Sequence, residues 1–294
     1  MASPIFGRTK EFQPMSGAEA HAAALNNSGS SKNGAVRAGA STQPVPTQTA
    51  DLNAQFNGPT ATSADTGRMS YEGVVAKTSG IAILVLLFAI PGYMFPNIIG
   101  MIAGAIIGLV LGIVLTIQKR PKPALIAVYA VAEGYFLGAI TVFIEQQYNV
   151  PSAGLQALLA TGITFGVCLA LYASGKVRYT PKLQKILMIG GIAYAAFSLV
   201  NVGVMIFGPQ TENNAWGLRT SVEIFGIPLG VLIGIFAVFL ACISLIADFD
   251  FIENGVKRGL PDWFEWKAAF GLIVTLVWLY IEFLRIIAIL FGRR

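Results

Sequence analysis

Five ionisable residues interrupt otherwise apolar runs. Glu133 lies in VAEGYFLGAI, Asp248 and Asp250 in SLIADFDFIENG, and Glu282 and Arg285 in WLYIEFLRIIAIL. A charge at such depth costs a few kcal/mol on insertion scales, so it faces a bundle interior or a wet cavity. Acids on three separate segments, with no histidine or cysteine beside them, suit a hard cation or protons rather than a transition metal. Plainer readings stand beside this one. Glu282 and Arg285, three apart, could neutralise each other on one helix. Asp248, Asp250 and the nearby Glu253 could be a solvated helix end, and Glu133 could serve packing through a hydrogen bond to a neighbouring helix.

Other chemistries find little material. The only histidine, His21, lies in the polar N-terminal region, so neither a zinc site nor a Ser–His or Cys–His pair can form inside the apolar runs. Cys168 and Cys242 fall within those runs and read as small packing residues. YASGKVR carries Gly175-Lys176 without the upstream glycine and following hydroxyl of a phosphate loop. An intramembrane aspartyl protease would need a glycine after its second aspartate, which is absent. The expectation is a protein that is not an enzyme and needs no cofactor.

The elements that must position these acids are membrane helices. The 294-residue chain is 55% hydrophobic and 12% charged, and uninterrupted apolar runs of such length belong to an all-α polytopic membrane protein. Seven runs are visible, roughly 79–94, 97–118, 124–144, 155–173, 184–207, 226–247 and 268–291. They lack the alternation of membrane strands. Residues 1–70 are rich in Ala, Gly, Ser, Asn and Thr and are expected to form a disordered tail, with residues 71–294 as the transmembrane domain. No apolar stretch follows Met1, so no signal peptide is expected, and the sequon at Asn26 carries little weight. Lys119, Arg120, Lys122, Lys176, Arg178, Lys182, Lys185, Lys257, Arg258 and Lys267 all fall on alternate loops or beside them, which places the N-terminus in the cytoplasm. Arg219 alone opposes this pattern between the spans, and Arg293 and Arg294 end on the far side. The net charge of +5 fits basic loops and not a nucleic-acid surface. Glycines repeat every fourth residue at 104, 108 and 112, at 134 and 138, and at 226, 230 and 234, a spacing that lets helix backbones approach.

EGYFLGAI, LIADFDFI and LYIEFLRIIAIL, in that order, resemble the Bax inhibitor/YccA membrane proteins, especially the bacterial branch with an extended N-terminal tail. The resemblance runs from about Lys77 to the C-terminus. It implies six helices around a central last one, in a bacterial inner-membrane protein that forms a pH-sensitive calcium leak. Two aspartates on helices six and seven govern that leak by sharing a proton. Taken residue by residue, they fall on Asp248 and on Glu282, which carries Glu where the family has Asp, while the third-helix acid falls on Glu133. Asp250 would flank the gate and Arg285 would compete for Glu282. A calcium contact would then be made by Asp248 and Glu282. The two acids meet only if the sixth helix runs inward past Ile252 and part of LPDWFEWKAAFG lies along the interface. The YccA side of the resemblance implies an alternative, a non-transporting regulator whose tail binds a membrane protease or another complex. Expected partners are therefore calcium or another cation, the lipid bilayer and, on the alternative, a membrane protein, with no nucleic acid.

Overall fold

The computed structural model describes residues 67–207 and 217–292. His21, the sequon at Asn26, most of the expected tail, and Arg293 and Arg294 lie outside the described residues. Among those described, seven helices are long and apolar enough to cross a membrane: α1 Tyr71–Met94, α2 Ile98–Ile117, α3 Pro123–Gln147, α4 Ala153–Ala173, α5 Pro181–Phe207, α6 Leu229–Lys257 and α7 Trp263–Phe291. A single turn, Leu218–Ser221, and a small antiparallel hairpin, Glu223–Ile224 with Ile227–Pro228, fill the α5–α6 connection. The hairpin turns through Phe225 and Gly226, both with positive φ, as a two-residue turn requires. Gly226 therefore belongs to this turn and not to the glycine stripe of the sixth helix.

Local chemistry sets the helix ends. Ser70 caps α1, its Oγ accepting from Gly73 N at 3.0 Å, and Asn97 caps α2 by accepting from Ile99 N. Pro123 stands in the first turn of α3, where a missing N–H costs nothing. The residues just before α1 are tied to the α6–α7 loop. Met69 N donates to Leu260 O, Asp262 N donates to Gly67 O, and Met69 is buried. Glu265, near the start of α7, completes this lock. Its carboxylate accepts from Ser70 N at 2.8 Å and Ser70 Oγ at 3.0 Å, and pairs with Lys77 at 2.5 Å.

Helix α7 packs against α1, α3, α4 and α6, while α2 rests on α3 and α5 chiefly on α6. The last helix is thus central to the bundle, although α2 stands one layer out. Small residues permit the closest crossings. Gly134 and Gly138 of α3 lie on the backbone carbonyls of Val85 and Ala89 of α1, and Gly104 of α2 lies on Ala132 O of α3. An apolar cluster joins α1, α2, α3 and α7 through Ile81, Leu115, Ile126, Tyr129, Phe270 and Ile273. Cys168 and Cys242 are free thiols.

Because a methyl at Gly138 would strike the Ala89 carbonyl, Gly138→Ala is expected to cost about 1–3 kcal/mol. At Gly166, where added carbon meets open space, Gly166→Ala should instead gain about 0.5–1 kcal/mol of helix stability. Thermal unfolding in detergent checks both signs.

Candidate functional site

The loops at residues 118–122, 174–180 and 258–262 and the start of α1 share one end of the bundle, and this is the end that carries the basic residues. Just inside it, Asp248 of α6 faces α7. Its Oδ2 accepts from Thr275 Oγ1 at 2.9 Å, Ser244 lies 3.2 Å from the same hydroxyl, and Gly271 leaves space beside Oδ1. No cation among the described residues reaches Asp248. Asp250, two positions on, accepts from Asn254 Nδ2 at 2.9 Å. Burial and the negative charges of Asp250 and Asp248 hold the Tyr179 phenol, in the α4–α5 loop, above its usual range.

Glu253 is more than a solvated helix end. It accepts from Tyr172 Oη of α4 and pairs with Arg178 of the following loop, each at 2.5 Å, and it pairs with Lys257. The acid fastens α6 to α4 and to the α4–α5 loop.

Glu133 is buried on α3, where its Oε2 fills the space above Gly108 of α2. Among the described residues no hydrogen-bond donor or cation reaches it. The glycine stripe of α2 thus does more than bring helices together, since at Gly108 it makes room for a carboxylate.

Glu282 occupies the opposite half of α7 and is 1% exposed. Arg285 Nη1 donates to both its oxygens, at 2.8 and 2.9 Å, and Tyr194 Oη of α5 donates to Oε1. Arg219, from the turn after α5, reaches within 4.0 Å of Oε2 and is 3% exposed. Its Nη2 donates to Tyr194 Oη and Ser198 Oγ, both at 3.2 Å, and its guanidinium lies over the rings of Tyr194 and Phe197. Two guanidinium groups therefore surround one carboxylate.

The expected sharing between Asp248 and Glu282 does not occur in this conformation. Across α6 and α7, Gly230 faces Ile289, Gly234 faces Ile286 and Asp248 faces Gly271 and Thr275. This register puts Glu282 level with the neighbourhood of Val238, so the two acids differ in depth by about 15 Å at 1.5 Å per residue. Helix α6 does extend past Ile252, but α7 begins only six residues after α6 ends, so the hairpin keeps the acids apart. The contact of one calcium ion with both Asp248 and Glu282 fails for the same reason. Among the described residues no group of three or more acidic, cysteine or histidine side chains could hold a metal ion.

Sequence reasoning passed over Arg219, Tyr194, Thr275, Glu253 and Glu265 as site residues. Arg219 did leave a signal, as the single basic residue between two spans on an otherwise uncharged side. Thr275 and Tyr194 left none, since a hydroxyl on a membrane helix is common.

The sequence model of the family described as Bax inhibitor 1 like matches residues 4–292, beginning well before the Lys77 from which the resemblance ran. No curated protein matches the chain.

Glu282→Gln would remove the charged carboxylate that Arg219 and Arg285 share in the bundle and is expected to cost about 3 kcal/mol. Arg285→Leu, which leaves Glu282 with Arg219, should cost less. Unfolding in detergent gives both values, and equal effects would contradict the shared-carboxylate arrangement.

Proposed function

The chain belongs to the Bax inhibitor 1 like family, and on that premise we propose that it is a non-enzymatic cation leak of the bacterial inner membrane, with its N-terminus cytoplasmic. Calcium is the ion the family resemblance implies, and carboxylate oxygens suit such a hard cation. Asp248 and Glu133 stand at similar depth on α6 and α3 and act before Glu282, which lies farther from the basic end, with Asp250 at the cytoplasmic mouth.

The observation that carries this reading is the difference in how the three acids are neutralised. Among the described residues, Asp248 accepts from the Thr275 hydroxyl and no donor reaches Glu133, whereas Glu282 is held by Arg285 and Arg219. A hard cation moving through the bundle must exchange water for fixed oxygens, and an ionised carboxylate without a cation supplies them. At the far end, the guanidinium of Arg219 takes the place such a cation would need beside Glu282, a tethered closure. Protons compete with the cation at each acid, which makes the leak depend on pH. Asp248 accepts from Thr275, which also contacts Ser244, and Asp250 and Tyr179 bring further titratable groups to the same end.

A second reading, a non-transporting regulator that binds a membrane protease or another complex, is favoured by the extent of the family match, which takes in the N-terminal residues from position 4. Removing residues 1–66 separates the two, because a regulator should lose its partner while a leak persists.

Purified protein in calcium-loaded liposomes should show flux that varies with pH. Asp248→Asn, uncharged at every pH, should lower that flux about tenfold, the equivalent of ~1.4 kcal/mol, and flatten its pH profile. Arg219→Gln should raise it. Flux no different from that of empty liposomes would contradict the proposal.

A further inference from the structure

A cleft of about 640 Å³ opens sideways between α1 and α4, floored by α3 and α7. Both flanking helices pack on the floor, and the space between them is where the cleft lies. Its volume falls within the ~300–1,000 Å³ typical of small-molecule sites. Its walls are apolar, with Leu86 and Ile90 on one side and Leu155 and Leu158 on the other, all exposed. Along α1 the lining runs from Met94 to Ala82, and along α4 from Gly154 to Phe165. At 1.5 Å per residue each wall descends by about 16–18 Å. One leaflet of hydrocarbon is about 15 Å deep, so the cleft matches the reach of a single acyl chain.

The end of the cleft farthest from the basic loops is polar. Glu145 lies in the last turn of α3, at the level where a helix leaves the hydrocarbon. Its Oε1 accepts from Gly154 N at 2.9 Å and its Oε2 from Tyr93 Oη at 2.7 Å. Both donors are neutral, and among the described residues no cation lies within ion-pair distance. An ionised carboxylate has about four acceptor positions, so two remain open. Tyr280 and Thr141, hydrogen-bonded at 2.6 Å, line the cleft just below. Among the described residues, this end therefore offers a carboxylate without a paired cation at the top of an apolar channel.

We propose that the cleft binds a membrane lipid with a primary ammonium headgroup, one acyl chain lying between α1 and α4 and the ammonium pairing with Glu145. A quaternary ammonium lacks the N–H donors that the open carboxylate positions accept, and an anionic headgroup is repelled. The site is separate from Asp248, Glu133 and Glu282, and it stands whether or not the protein conducts ions.

The test measures bound lipid by native mass spectrometry. Purified protein is titrated with phosphatidylethanolamine, phosphatidylcholine and phosphatidylglycerol of identical acyl chains. Wild type should retain the ethanolamine lipid about fivefold better than the other two, the selectivity one partly exposed ion pair supplies. Glu145→Gln can still accept from Gly154 N, and it should abolish the preference while total lipid uptake persists. Gly162 lines the cleft and a carbon added there meets open space, so Gly162→Leu should fold normally and reduce uptake of all three lipids. Leu158→Trp is the second blocking variant, should Gly162→Leu disturb folding. Equal retention of the three lipids by wild type would overturn the proposal. So would a preference that survives Glu145→Gln, or uptake that neither blocking variant reduces.

Discussion

The bundle is organised by the cost of holding a charge in hydrocarbon. Each acid that enters it must find a cation, a set of donors or a reason to stay unmatched. Glu282 takes the first course most fully, since Arg285 comes from its own helix and Arg219 from the turn after α5, with Tyr194 donating between them. Glu265 follows the same rule at the other end of α7, where Lys77 and Ser70 tie the start of α1 to the last helix. Helix α7 is central partly because both of these anchors stand on it. Asp248, held by the Thr275 hydroxyl alone, and Glu133 have no paired cation among the described residues, and that sets them apart from the structural acids.

Close packing makes these exceptions tolerable. Gly134 and Gly138 bring α3 onto the carbonyls of α1, and Gly108 of α2 opens space for the Glu133 carboxylate. Helices α2 and α5 pack on few neighbours and present large apolar faces, including Ile98, Ile102, Ile189 and Ile192, as a lipid-facing surface does. The arrangement confines polarity to a few inward positions and leaves lipid in contact with apolar side chains. It also leaves a breach, the cleft between α1 and α4, at whose end Glu145 sits.

Much of the fold could be read from the chain because hydrophobic length is a local property. All seven spans appear where apolar runs occur, and the basic loops share one end. Boundaries slipped where polarity and helicity diverge. The run DFDFIENGVK reads as an exit from the membrane, yet α6 continues through it to Lys257, with Glu253 held by Tyr172 and Arg178. Glu265 lies between Trp263 and Trp266, in the stretch that would have to lie along the interface for Asp248 and Glu282 to meet, and it is buried within α7. The site was harder to read, because its partners are distant in sequence. Nothing near Asp248 points to Thr275, and nothing near Glu282 points to Tyr194 or Arg219. The local partner of Glu282, Arg285, was visible because it lies one turn away.

Separate action of Asp248 and Glu282 is the central claim, and a double-mutant cycle of calcium flux per folded protein tests it most directly. Asp248→Asn, Glu282→Gln and the double variant are compared with wild type in the same liposomes. Sites about 15 Å apart without shared partners should give effects that multiply, with a coupling within about 0.5 kcal/mol of zero. A coupling beyond about 1 kcal/mol would mean that the two carboxylates act as one unit, and would contradict the account.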